Sequence, residues 1–391
     1  MIVVLGAGGL LLHPKLSGAT QWRATITPLA SIIGSGFLVI GPILHNSFSM
    51  MSPLVMTALC IGAYLFGAAI RYNIATIDQS LYVRSRLELG LENVASWALV
   101  FAYVISVAYY LNLFGEFGLS LTDLNDKFHA RLLTTGVFLV ILGVGWIYGF
   151  TALERMEQVT VGIKLAIIAG LLFGLGWYFV GKVGEGGLVV EAPVLTGWAA
   201  VTLVFGLVVT VQGFETSRYL GETYDAATRI RSMKLAQWLS SAIYITYIVL
   251  LTFSFERGQI ALDETAIIAL MAFVAPILSV LLVAAALSAQ FSAAVADAVG
   301  SGGLIGELTR YRLQPRGAYL ILVAAGLVLT WTLGVFGIIS YASRAFAAYY
   351  GLQSAIAAVS ARRQGQLPQA AVFCLLAVLG AAITVFGVSV E

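Results

Sequence analysis

Charge is scarce in this chain: Asp, Glu, Lys and Arg make up only 10% of its 391 residues. Histidine is scarcer, with His13, His45 and His129 far apart at the ends of apolar stretches or between them, and the two cysteines, Cys60 and Cys374, sit in separate apolar runs. These shortages exclude whole classes of function. Dispersed His and Cys give no metal-ligand spacing, and thiols inside apolar runs read as packed side chains rather than a disulfide. No cofactor motif and no His/Asp/Ser cluster falls within the apolar stretches, so nothing marks an enzyme. A formal net charge of +2 is too small for a nucleic-acid surface. Low-complexity linkers and an extramembrane domain are also missing.

What is abundant is hydrocarbon. Sixty per cent of the residues are hydrophobic and the mean hydropathy is +0.95, values that require a bilayer as solvent. Stretches near the ~20 residues needed to cross it are predicted at 25–45, 51–71, 94–114, 132–150, 159–181, 196–219, 235–255, 277–300, 317–334, 336–359 and 369–390, eleven in all. The segment 261–273 is too short to cross and reads as a short helix over one face. Residues Met1 to Leu12 are apolar but lack a basic leader. They read as an interfacial or disordered extension rather than a cleaved signal.

Positive charge orients the spans. With residues 1–23 as a cytoplasmic segment, fifteen Lys and Arg fall in inner connections and four in outer ones (Lys127, Arg131, Lys182 and Arg257). The bias predicts a multi-pass protein of the cytoplasmic membrane, with the N-terminus inside and the C-terminus outside.

Two spans carry breaks. The first reads Ser31-Ile-Ile-Gly-Ser-Gly-Phe37 and the sixth Val211-Gln-Gly-Phe-Glu215. Backbone that leaves a helix inside a bilayer persists only where it is packed in protein or lines a cavity. Paired Gly-interrupted segments, one in each half, point to a transporter's midplane site. The second break comes five spans after the first, so the two halves have opposite orientations. This predicts an all-α inverted 5+5 repeat, with repeat one at about 24–181, repeat two at about 195–360, and 364–391 as an eleventh helix. A small-residue packing face is the competing reading of Gly34, Ser35 and Gly36 alone; the matching break in span 6 favours a site.

Around span 6, Gly213 is the expected unwinding point, Thr210 and Gln212 could offer hydrogen bonds, and Phe214 could pack on cargo or gate it. Glu215 admits two readings: an ion network with Arg218 and Glu222 at the cytoplasmic end, or a buried proton carrier. Lys164 in span 5 is the most unusual charge, since an intramembrane lysine costs about 2.5–3.5 kcal/mol on insertion scales; it either snorkels to the inner surface or titrates inside the bundle. Span 8 adds a polar stripe of Ser288, Gln290, Ser292 and Asp297, the last near the inner end and open to solvation. Tyr103, Tyr109 and Tyr110 of span 3 could line a cavity or simply pack. Arg344 is expected to reach water or a carboxylate.

Ile32-Ile-Gly-Ser-Gly-Phe37, Gly213-Phe-Glu215 followed by Tyr219-Leu-Gly-Glu222, and Ile163-Lys164-Leu165 together resemble the amino acid–polyamine–organocation (APC) superfamily, from about Arg23 to Arg363. The resemblance implies the leucine-transporter (LeuT) fold. It implies that Ile33, Gly34, Ser35 and Gly36 with Gln212, Gly213 and Phe214 meet a substrate's carboxylate and amino groups. It also implies that Lys164 stands where relatives bind sodium, near span 1 carbonyls and Ser288; the neighbouring Ala289 lacks the second hydroxyl that sodium sites use. The chain departs from many relatives in having eleven spans rather than twelve and a small Val209 where some place an aromatic gate.

The expected function is a secondary transporter of amino acids or related small amines, working by alternating access. It would be proton-coupled or an exchanger, and sodium-independent. Its expected partners are the small-molecule substrate, protons and the lipid bilayer. The rival classes are a membrane sensor that binds without translocating, and a channel, for which no polar ring is visible.

Overall fold

A computed structural model describes residues 2–11, 13–34, 36–77, 83–147, 151–221, 223–259, 263, 265–274, 276–310, 312–313 and 315–389. Ser35 and Glu222, both singled out above, lie outside the described residues. The chain is helical, with no strand among the described residues. The first half contains α1 (Ile2–Leu11), α2 (Pro14–Ser17), α3 (Thr20–Ile32), α4 (Gly36–Phe48), α5 (Ser52–Ile77), α6 (Arg86–Leu119), α7 (Lys127–Ile147) and α8 (Thr151–Gly184). The second contains α9 (Gly197–Gly206), α10 (Ala226–Ser254), α11 (Ala266–Val274), α12 (Pro276–Leu308), α13 (Pro315–Thr332), α14 (Val335–Arg363) and α15 (Leu367–Phe386).

Six helical stretches among the described residues are long and apolar enough to cross a membrane. Where the predicted spans 1 and 6 stood there are instead split helices. The first is α3 followed by α4, and the second is α9 followed by 3₁₀ turns at Val208–Val211 and Phe214–Tyr219. Each piece is shorter than the ~20 residues of a full crossing. The short helix expected near 261–273 is present as α11.

The ends of the long helices are set by polar side chains. Ser85 caps α6 in a box with Glu88: the Glu88 N–H donates to Ser85 Oγ (3.3 Å), and the Ser85 N–H donates back to Glu88 Oε2 (2.6 Å). Asp225 caps α10 by accepting from the Thr228 N–H at 2.7 Å. Hydrogen bonds from Thr228 hold the Asp225 carboxyl below the usual carboxylate range.

Small residues set how closely the helices cross. A Cβ on Gly380 of α15 would lie 2.6 Å from the Gly351 Cα of α14, so the two backbones touch. The N-terminal stretch, expected as an interfacial or disordered extension, is the helix α1 laid along α8. Gly8 meets Ala166, and a Cβ on Gly170 would strike the Val4 side chain. The contacts step by four residues in opposite directions, so α1 runs antiparallel to α8. Cys60 is buried and Cys374 exposed, both as free thiols.

Candidate functional site

The two breaks meet. The first follows Ile32; Ile33 leaves the helix at φ −84°, ψ 53°, and α4 starts at Gly36. In the second, Gln212 is extended (φ −78°, ψ 174°), and Gly213 turns the chain at φ +114°. A side chain at that φ is strongly disfavoured, which is why glycine occupies it. A Cβ on Gly36 would lie 2.6 Å from Thr210 Cα and 2.7 Å from Thr210 O; one on Gly213 would lie 2.4 Å from Ser31 Oγ and 2.7 Å from Ile32 N. Each glycine thus lets one broken backbone rest directly on the other.

A helix end leaves carbonyls without intrahelical donors, and at α3 these are claimed one by one. Leu29 O accepts from the Ile33 N–H (2.9 Å). Ala30 O accepts from Lys164 Nζ at 2.8 Å. Ile32 O accepts from the Tyr244 hydroxyl at 2.9 Å, and the same hydroxyl lies 2.7 Å from Thr210 O. Lys164 is only 3% exposed. Its ammonium points into the bundle at the negative end of the α3 dipole, so the snorkelling reading does not hold. Ser288 lies on α12, half-buried.

Tyr244 bridges both breaks through one hydroxyl, and sequence reasoning missed it. Beside it a small cavity, with water-sized space of about 10 Å³, is lined by Ile32, Val211, Ser240 and Ser241 among others; that is room for about one water. Tyr244→Phe would remove the one proton that the two buried carbonyls share, a loss of about 1–3 kcal/mol. The expected result is a lower thermal midpoint of the purified protein; an unchanged midpoint would mean that Tyr244 does not hold the two breaks together.

On the span 6 side, Gln212 Nε2 donates to the Tyr110 hydroxyl (2.7 Å), while Gln212 Oε1 is buried with no partner among the described residues. Thr210 directs its hydroxyl to Leu207 O (2.6 Å) within its own turn. Phe214 is fully buried and stacks on Tyr350, with ring centroids 4.9 Å apart. Glu215, 0% exposed, accepts through Oε2 from the Gly213 N–H (2.9 Å) and the Tyr350 hydroxyl (2.8 Å); its Oε1 has no hydrogen-bond partner among the described residues.

The expected ion network around Glu215 is drawn differently. Arg218 turns to Glu92 of α6 (2.6 Å) and Gln353 of α14 (2.6 Å), leaving Glu215 with the Gly213 N–H of its own break and the Tyr350 hydroxyl. Asp297, expected to be solvated, is 4% exposed and accepts from the Ser106 hydroxyl of α6. Tyr103, Tyr109 and Tyr110 are buried in the core, Tyr110 against the Gln212 amide. Arg344 finds a backbone partner, donating from Nε to Thr384 O of α15 at 2.7 Å. No group of three or more His, Cys, Asp or Glu able to hold a metal occurs among the described residues.

The arrangement suits a small polar ligand. It places helix-end backbone at two touching breaks and leaves two buried acceptor oxygens, Gln212 Oε1 and Glu215 Oε1, on the span 6 side. A family model described as an APC superfamily transporter matches residues 14–387. An uncharacterized protein of Aquifex aeolicus (strain VF5) is 43% identical over 387 residues, covering 97% of this chain and 94% of the relative.

Proposed function

The chain belongs to the APC transporter superfamily, and from that premise we propose that it is a secondary transporter of amino acids or related small amines, gripping its cargo between the two breaks. The observation that carries this reading is the stacking of Gly36 on Thr210 and of Gly213 on Ser31 and Ile32. Gly34 and Gly36, beyond the Ile33 N–H that Leu29 O holds, would present amides to an anionic group. Gln212 Oε1 and Glu215 Oε1 would accept from an ammonium, and Phe214 would pack against the apolar part or gate it.

In this reading the helices form eleven crossings: an inverted pair of five-span repeats, at about 24–181 and 195–360, and α15 as the eleventh. Residues 1–23 belong to the cytoplasmic side, with α1 turned into the bundle along α8, and the C-terminus faces outside, in line with the Lys and Arg bias. Transport proceeds by alternating access, coupled to protons or as exchange. Lys164 holds the end of α3 and senses the coupling charge, and Glu215 and the Ser288 region of α12 contribute to the same linkage. Uptake of a radiolabelled panel of amino acids and amines into proteoliposomes, with and without a pH gradient, tests this. Saturable uptake of a panel member is expected; binding without flux would make the protein a sensor, and neither would overturn the reading.

Arg218 gives a second test, on the cytoplasmic side. Its links to Glu92 and Gln353 tie the inner piece of span 6 to α6 and α14, and they must part for cargo to leave inward. Removing one partner of a mostly buried pair costs up to about 3 kcal/mol. Arg218→Ala should therefore slow uptake severalfold and lower thermal stability. Glu92→Gln should act more mildly, because Gln353 remains. Equal rates for the wild type and Arg218→Ala would contradict the latch.

A further inference from the structure

The outer piece of span 6, α9, is held from outside the repeats. After α15 the chain turns at Gly387, whose N–H donates to Ile383 O (3.0 Å), and the next residue, Val388, donates its N–H to Thr202 O of α9 at 3.1 Å. Its carbonyl is pressed against Gly206: a Cβ there would lie 1.8 Å from Val388 O and 2.8 Å from Val388 C. Thr202 and Gly206 are four residues apart and so share one helix face. A Cβ on Gly387 would in turn meet Arg344 Cγ of α14 (3.3 Å) and Gly206 N (3.4 Å). Trp198 meets Phe386 edge-on (5.4 Å).

The opposite restraint comes from α14. The Ser343 hydroxyl, fully buried, donates to Gly206 O (2.7 Å) and accepts from the Val209 N–H (2.9 Å), just before the break. The last turn of α9 is therefore clasped between Ser343 and the backbone at 387–388.

We propose that residues 387–388 act as a strap that positions the outer half of the broken span, so that α9 moves as one body with α14 and α15 and bending is confined to 207–213. The tail grips through its backbone, so the side chain at 388, which is 44% exposed, contributes little. This assigns the helix beyond the repeats a mechanical role at the span 6 break. It does not depend on what the cargo is.

The test uses the full chain with Cys60→Ala and Cys374→Ala, carrying Thr202→Cys as a reporter beneath the strap, purified in detergent. Reactivity toward a bulky polar maleimide is measured in three backgrounds. Val388→Pro deletes the N–H donor while leaving α15 intact, and it should raise the labelling rate about tenfold, the worth of one backbone hydrogen bond. Val388→Ala keeps the N–H and should label at the parent rate. Gly206→Ala attacks the contact from the other side and should also raise the rate. Equal labelling of the parent, Val388→Pro and Gly206→Ala would overturn the strap, as would an equal rise in Val388→Ala, which would mean that the side chain and not the backbone does the holding.

Discussion

Gly213→Ala should abolish transport while leaving protein in the membrane. Two costs combine at this residue. Its φ of +114° lies where L side chains are strained, at about 1–3 kcal/mol. The added Cβ would also sit 2.4 Å from Ser31 Oγ and 2.7 Å from Ile32 N. Ser31 could rotate its hydroxyl away, but the Ile32 nitrogen belongs to the last turn of α3 and can move only with that helix. Overpacking of this kind costs about a further 1–3 kcal/mol. The strain falls on the contact between the breaks, so flux should drop to background and the thermal midpoint should fall. Gly62→Ala is the control: a Cβ at this α5 position meets nothing within 4 Å, and a helical Gly→Ala change is neutral or favourable by up to about 1 kcal/mol. Normal uptake by Gly213→Ala, at matched protein level, would mean the breaks do not bear on one another during transport.

Lys164→Ala is the second large effect expected. Lys164 brings a charge to the end of α3 and satisfies Ala30 O. Removing it leaves a buried carbonyl without a donor, at about 1–3 kcal/mol, and takes away a cation from the negative end of a helix. Uptake driven by an imposed pH gradient should disappear, with at least about a tenfold loss. Substrate-for-substrate exchange should survive in part, because the breaks remain. Lys164→Arg should not restore the gradient response, since the planar guanidinium is larger and does not give up its proton. Full pH-driven uptake in Lys164→Ala would leave the lysine a structural cap for α3 and nothing more.

The breaks were legible in the sequence because glycine beside polar residues interrupts an apolar run at matching places in the two halves. Lys164 was legible because charge in such a run is rare. Hydropathy could not tell whether that lysine looked inward or toward the surface; a neighbouring helix end decided it. The partners of the breaks were hidden for a related reason. Tyr244, Tyr350 and Ser343 sit in spans where tyrosine and serine pack without consequence elsewhere, and only the crossing of helices brings Tyr244 to Ile32 O and Thr210 O. Their neighbours along the chain carry no mark of the hydroxyl's target. Arg218 misled for another reason: its i+3 spacing does put it on the Glu215 side of a 3₁₀ turn, but Glu92 of α6 and Gln353 of α14 capture its guanidinium, and spacing along the chain carries no sign of partners on other helices. Asp297 read as solvated because depth along a span is visible in sequence, whereas the neighbour facing it, Ser106, is not.

A density map of the protein in nanodiscs with a transported substrate tests the central claim most directly. The account predicts substrate density between the two interruptions, within hydrogen-bond reach of the 33–36 and 212–214 backbones, with the Tyr244 hydroxyl still joining Ile32 to Thr210 in the occluded state. Helices running unbroken through both segments, or cargo bound elsewhere while the breaks stand empty, would contradict it.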